Sequence, residues 1–194
     1  MSSQGANLTG NAAPSRWSRV ARRIRVPLGF AFAVVYLWLA RPSAESMLIG
    51  AVFVATGLAI RALASGQLRK NETLATSGLY SYTRNPLYLG SILIGGGFAV
   101  AGNRMWIWLI LLALLLLIYL PVIRSEEEFL RGKFPDFDSY ARTVPRLLPR
   151  WSGESLVSGF SSRQYTKHRE YNALIGAVLM MLALAFKMWE VRRA

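Results

Sequence analysis

The 194-residue chain has no cysteine and a single histidine, His168. Disulfides, thiolate nucleophiles and cysteine-based metal sites are therefore excluded. Acidic residues are also scarce: ten Asp and Glu stand against 23 Lys and Arg, for a formal net charge of +13. Charge of either sign is missing between residues 105 and 123, and Leu109 to Leu117 within it is almost pure leucine. There is no internal repeat. No small-x-small cleavage site follows Ala40, so the apolar run 26–40, preceded by Arg16, Arg19, Arg22, Arg23 and Arg25, does not read as a cleaved signal peptide.

What is present is apolar and segregated. Hydrophobic residues make up 53% of the chain, and the mean hydropathy is +0.31. A helix needs about 20 apolar residues to cross a bilayer core, where no water can satisfy an open backbone. Residues 105–123 meet that length, and 46–64, 87–101, 172–189 and 26–40 approach it. The expected fold class is all-α, a polytopic membrane helical bundle of about five transmembrane helices. Three regions are expected: a basic, partly disordered tail over 1–25, a membrane core over 26–150, and a C-terminal extension over 151–194 with a further membrane helix. Whether that last helix spans, lies flat or re-enters is left open, because Arg192 and Arg193 follow it.

The high positive charge invites a nucleic-acid reading, but its placement argues for lipid. Cations concentrate before the first span, between the second and third, and over 124–171, whereas the short opposite connections hold only Arg41 and Arg104. That asymmetry predicts a cytoplasmic N-terminus and basic segments facing anionic headgroups. No nucleic-acid partner is therefore expected; no metal is expected either, and the compact form without targeting signals suggests a bacterial inner membrane. Arg61, near the end of its span, is expected to snorkel to the headgroups. Gly95–Gly97 and Gly102 mark either close helix approach or loose packing. His168, between Lys167 and Arg169, reads as a solvated interfacial residue.

Two polar segments flank the third and fourth spans, 66–89 and 124–149. In the first, Ser77-Gly78 signals a turn and Pro86 bends the backbone. Tyr80, Tyr82 and Tyr88 supply rings there, for which an interfacial aromatic belt is the simpler account. In the second, Glu126, Glu127 and Glu128 follow the long apolar helix. Glu127 and Arg131 are spaced i,i+4 for a surface pair. Glu126 shares a stripe with Leu130 and Phe134 and is expected to turn inward, where a carboxylate needs a cation such as Arg84, Arg124 or a cationic ligand.

The pattern Leu74…Gly78-Leu79-Tyr80…Arg84-Asn85-Pro86-Leu87-Tyr88, a helix pair, then Glu126-Glu127…Leu130…Phe134…Tyr140…Val144-Pro145 resembles the isoprenylcysteine carboxyl methyltransferase and phospholipid N-methyltransferase superfamily over roughly residues 46–150. The resemblance implies an S-adenosylmethionine-dependent membrane enzyme acting on a lipid or other membrane-dissolved acceptor. Its cofactor pocket would lie at the cytoplasmic face, closed by the C-terminal segment. Glu72, Thr73, Leu74, Ala75, Tyr80, Asn85, Pro86, Leu87 and Tyr88 would line that pocket, with Glu126 on the other wall. Many members carry Arg-His-Pro where this chain has Arg84-Asn85-Pro86. The carboxyl methyltransferases place an arginine four residues before the paired glutamates. Here that position is Val122, and Arg124, two residues before, is the nearest cation for positioning an acceptor. The alternatives are an NADPH-dependent reductase of the steroid 5-alpha-reductase type and a catalytically silent scaffold.

Overall fold

A computed structural model describes residues 31–69 and 72–193. The basic tail expected over 1–25, the first residues of the 26–40 span and Lys70 lie outside them.

Every described element is helical. Helix α1 is described over residues 31–39. It is followed by α2 (Ala44–Gln67), α3 (Leu79–Tyr82), α4 (Pro86–Gly102) and α5 (Met105–Leu114), and then by α6 (Leu120–Lys133), α7 (Phe137–Thr143), α8 (Ser162–Lys167) and α9 (Tyr171–Arg193). A wider π turn over Leu115–Tyr119 joins α5 to α6. Pro121 explains that turn: it has no N–H for the ladder, and its ring would crowd the Leu117 carbonyl, so the helix widens just before it.

Among the described residues, three helices are long and apolar enough to cross a bilayer: Ala44–Gln67, Met105–Lys133 and Tyr171–Val191. This corrects the expected five. Helix α4 is apolar but only 17 residues long, and α1 is described over too few residues to qualify. Leu48, Val52, Leu109, Leu112, Leu116, Leu179, Leu182 and Phe186 point outward, as a lipid-facing surface requires.

Lipid supplies no hydrophobic drive between such helices, so close packing has to hold them together. Helices α2 and α4 cross through four glycines. A Cβ on Gly50 would lie 2.5 Å from the Gly97 carbonyl oxygen, and one on Gly57 would lie 2.6 Å from that of Gly90. Of the glycines singled out in the sequence, Gly97 sits in this crossing and Gly102 packs on Ile107 and Tyr36, whereas Gly96 faces open space. Gly50, Gly57 and Gly90 complete the contact from positions the composition did not flag.

One end of the bundle is apolar. Tyr36, Ala40, Ala99, Ala101, Ile107 and Leu184 form a buried cluster there. The Tyr36 hydroxyl donates to the Phe98 carbonyl at 2.8 Å, and Lys187 Nζ donates to the carbonyls of Leu37 and Trp38. Helix α9 thus runs from the opposite, polar end to this cluster rather than lying flat. At the polar end, the connections after α2 and after α6 fold together.

Candidate active site

The polar end is built by interlocking its two connections. Gly78 turns the chain with φ +61°, a conformation suited to glycine, and a Cβ there would strike the Gln67 amide at 2.3 Å. Gln67 Oε1 accepts from the Leu79 N–H at 3.0 Å, and Gln67 Nε2 donates to the Leu156 carbonyl at 2.6 Å. Glu154 accepts from the Gly78 N–H at 2.9 Å, the Arg84 N–H donates to Pro145 at 2.9 Å, and the Arg150 N–H donates to Tyr82 at 3.0 Å. The bent strip before Pro86 therefore has its backbone groups met largely by residues 145–156, not left open.

Glu127 sits at the centre of this arrangement. It is 3% exposed, and its oxygens accept from Arg84 Nε at 3.1 Å, Asn85 Nδ2 at 3.0 Å, and Arg146 Nε and Nη2 at 2.9 and 2.7 Å. Arg84 Nη1 also donates to the Ala141 carbonyl, and Asn85 Nδ2 to that of Arg146. The expected assignment of the two carboxylates is therefore reversed in part. Glu127 is the buried one, and Arg131 pairs instead with Asp138 at 2.7 Å. Local i,i+4 spacing loses here to two arginines brought in from other segments, because a buried carboxylate requires full pairing.

Beside this network lies a cavity of about 450 Å³. Of the residues predicted for the cofactor pocket, Thr73, Leu74, Ala75, Tyr80, Asn85, Pro86, Leu87, Tyr88 and Glu126 line it. Glu72 does not. It is exposed and makes a loose 3.9 Å pair with Lys167. Arg124 is also exposed and off the cavity wall, because two residues rotate it about 200° from the carboxylates. Val122 takes the wall position. Glu126 is solvent-accessible and forms no ion pair with any described Lys or Arg, in contrast to its buried neighbour.

The cavity has further wall residues that the sequence reading placed elsewhere. Arg61 does not snorkel to headgroups: its guanidinium meets Glu170 Oε2 at 2.7 Å and donates to Ser91 Oγ. His168 is half-buried rather than solvated, with Nδ1 3.1 Å from the Ser65 carbonyl oxygen. Tyr119, from the π turn, packs edge-on against Tyr88 with ring centroids 5.9 Å apart. Phe129, Leu130, Phe134 and Phe137 make the opposite wall apolar. Burial pushes both the Tyr80 and Tyr140 phenols above their ordinary value of 10.0, and the nearby Glu126 adds to the effect at Tyr80. Both are therefore protonated at neutral pH, and the Tyr140 hydroxyl donates to the Tyr80 carbonyl at 2.6 Å. The stability this contributes is complete below pH 10.0 and falls only as pH rises beyond it.

The C-terminal extension does not form a distinct lid. Residues 145–161 buttress the 66–85 strip, and of the extension's described residues only His168 and Glu170 line the cavity. Among the described residues, no three His, Asp or Glu side chains converge as a metal site would require.

Apolar helices long enough to span a bilayer, with a charged, tyrosine-lined cavity at one end, define a helical integral membrane protein. The phospholipid methyltransferase family model matches residues 25–136, and the chain belongs to that family. Relatives include the cobalt-zinc-cadmium resistance protein CzcN of Cupriavidus metallidurans, 42% identical over 45% of this chain and 42% of the relative. Another is the nickel-cobalt-cadmium resistance protein NccN of Alcaligenes xylosoxydans xylosoxydans, 39% identical over 43% of this chain and 39% of the relative. The match thus spans less than half of either relative. No solved structure matches the chain.

Proposed function

We propose that the protein is an integral membrane S-adenosylmethionine-dependent methyltransferase of a bacterial membrane, acting on a lipid or other membrane-dissolved acceptor. The observation that carries this reading is Glu126, a carboxylate that pairs with no described Lys or Arg, on the wall of a tyrosine-lined cavity. Family membership sets the reading above the reductase and the silent scaffold.

The donor set fits the cofactor. Glu126 suits the methionyl ammonium, and the faces of Tyr80 and Tyr88 suit a positively charged sulfonium. Asn85 and Pro86 are held in place by Glu127, so their wall is rigid before any ligand arrives. A volume of about 450 Å³ is ample for a nucleoside-sized ligand. S-adenosylmethionine supplies an electrophilic methyl group on sulfur. The chain's own part is positioning and water exclusion, supplied by the Phe129, Leu130 and Phe134 wall. The half-buried cations on the cavity, Arg61 and Arg84, are already neutralised by Glu170 and Glu127. With Val122 at the wall, an amine, hydroxyl or similar neutral nucleophile is a better acceptor than a carboxylate, which would bear an uncompensated desolvation cost.

Purified protein in detergent should be stabilised by S-adenosylmethionine or its demethylated product and not by NADPH. A ligand at a hundred times its Kd contributes about 2.7 kcal/mol. Stabilisation by NADPH alone would return the reductase reading. Glu126→Gln should weaken cofactor binding by about ten- to a hundredfold, the worth of a charge-assisted hydrogen bond, and Glu128→Gln should leave it unchanged. Equal, small effects in titration calorimetry would remove Glu126 from the site.

We further place the polar end, with the cavity, on the cytoplasmic side. Because the native chain has no cysteine, single replacements at Ser77, Ser155 and Glu45 can be labelled cleanly. An impermeant maleimide added outside intact cells should reach position 45 and neither of the others. The reverse pattern would put the cavity on the outer face.

A further inference from the structure

We infer that His168 is the base that takes the proton from the methyl acceptor, an inference that rests on the methyltransferase reading above. The argument starts from the hydrogen bond at its other nitrogen. The Ser65 carbonyl oxygen, 3.1 Å from Nδ1, can only accept. The neutral imidazole is therefore the Nδ1–H tautomer, and Nε2 carries the lone pair. The ring lies on the cavity wall, and Nε2 makes no hydrogen bond to any described residue. A half-buried imidazole on a cavity wall, with Nδ1 anchored and Nε2 bonded to no described residue, is the arrangement a general base needs.

The anchor is itself rigid. Ser65 lies in the last turn of α2, where carbonyls have no partner within the helix. The Ser161 N–H satisfies the neighbouring Gly66 carbonyl at 2.9 Å, and His168 satisfies that of Ser65. A pure helix-capping role would use Nδ1 alone and would be indifferent to Nε2. The other charged and titratable groups lining the cavity are Arg61 and Arg69 from α2 and its exit, Glu170 from the turn before α9, Tyr80, Arg84 and Tyr88, and Tyr119, Glu126, Glu127 and Tyr140. Arg61 and Glu170 neutralise one another, as do Arg84 and Glu127. That leaves Glu126 to the cofactor and Arg69 at the exposed rim.

In the proposed step, the acceptor's nitrogen or oxygen forms a bond to the methyl carbon. The carbon–sulfur bond breaks with its electron pair going to sulfur. The acceptor's proton passes to Nε2 and from there to water at the cavity mouth. Charge is conserved, and the histidine returns to its neutral form.

Because His168 is the only histidine, three measurements report on it alone. Nitrogen-15 NMR of the ring should show the Nδ1–H tautomer at neutral pH, and the opposite tautomer would overturn the proposal. Diethyl pyrocarbonate should modify one histidine per chain, read at 240 nm, and S-adenosylhomocysteine together with a bacterial polar lipid extract should slow the reaction. An unreactive ring, or one that filling the cavity fails to protect, would count against a cavity-facing Nε2.

The third measurement is His168→Asn, which keeps a donor for Ser65 and removes the base. With tritiated S-adenosylmethionine and the same lipid extract, kcat should fall by about a hundredfold. The melting temperature and the calorimetric affinity for S-adenosylhomocysteine should be unchanged. Full activity in His168→Asn would reduce the residue to a cap, and weakened cofactor affinity at unchanged kcat would make it a cofactor contact. If the unmodified protein is not stabilised by S-adenosylmethionine at all, the methyltransferase reading itself fails, independently of the histidine.

Discussion

Glu127→Gln is expected to lower the thermal unfolding midpoint of the ligand-free protein in detergent by about 10 °C, corresponding to about 3 kcal/mol. Glu127 is 5% exposed at its side chain and Arg84 11%, so the arginine would lose its counter-charge where water cannot replace it. Arg146, at 43%, can turn outward, which keeps the expected loss at the lower end for a buried ion-pair network. Glu128→Gln, one residue on and exposed, is the control and should melt with the unmodified protein. Equal midpoints for the two variants would show that the 84–85 strip is held by other contacts. The effect belongs to the fold rather than to the ligand, so it is read without cofactor. This separates Glu127 from Glu126, whose replacement should alter binding and leave the midpoint in place.

The second large effect is expected at the helix crossing. Gly57→Val puts a branched side chain against the backbone of α4, where even a Cβ would lie 2.6 Å from the Gly90 carbonyl oxygen and 2.9 Å from the Ile94 nitrogen. Backbone cannot step aside as a flexible side chain can. The helices must part or tilt, at a cost of about 3 kcal/mol. Because α4 begins at Pro86 on the cavity wall, the displacement should weaken S-adenosylhomocysteine binding as well as lower the melting temperature. Gly96→Val, on the same helix but facing open space, should do neither. If the two variants behave alike, the crossing is looser than its geometry indicates.

These two residues also show how far the sequence could be read. The apolar stretches were legible because lipid leaves no alternative to a closed helix, and 46–64, 105–123 and 172–189 each fall inside a helix long enough to span. The count of five was not legible. Apolar length alone does not separate a 17-residue helix such as α4, packed into the bundle through its glycines, from a helix that meets the spanning length. The paired polar segments were legible as well, and nine of the residues carried over for the cofactor pocket do line one cavity. Which carboxylate would be buried was not. The helical wheel weighed Glu127 against Arg131 at i,i+4, while the actual partners, Arg84 and Arg146, are 43 and 19 residues away.

By itself, the sequence determined the membrane character, the all-helical class and the gathering of charge at one end, because each follows from the local cost of exposing backbone or charge to hydrocarbon. It also set the family, through two short motifs. Only the tertiary structure decided the rest. It buried Glu127 and left Glu126 without an ion pair among the described residues, turned Arg61 inward onto Glu170, and set Nδ1 of His168 against a carbonyl 103 residues earlier in the chain. The physical reason is the same in each case. The environment of a polar side chain near a bilayer is set by whichever distant groups the helix packing brings within hydrogen-bonding reach, and no local spacing encodes that.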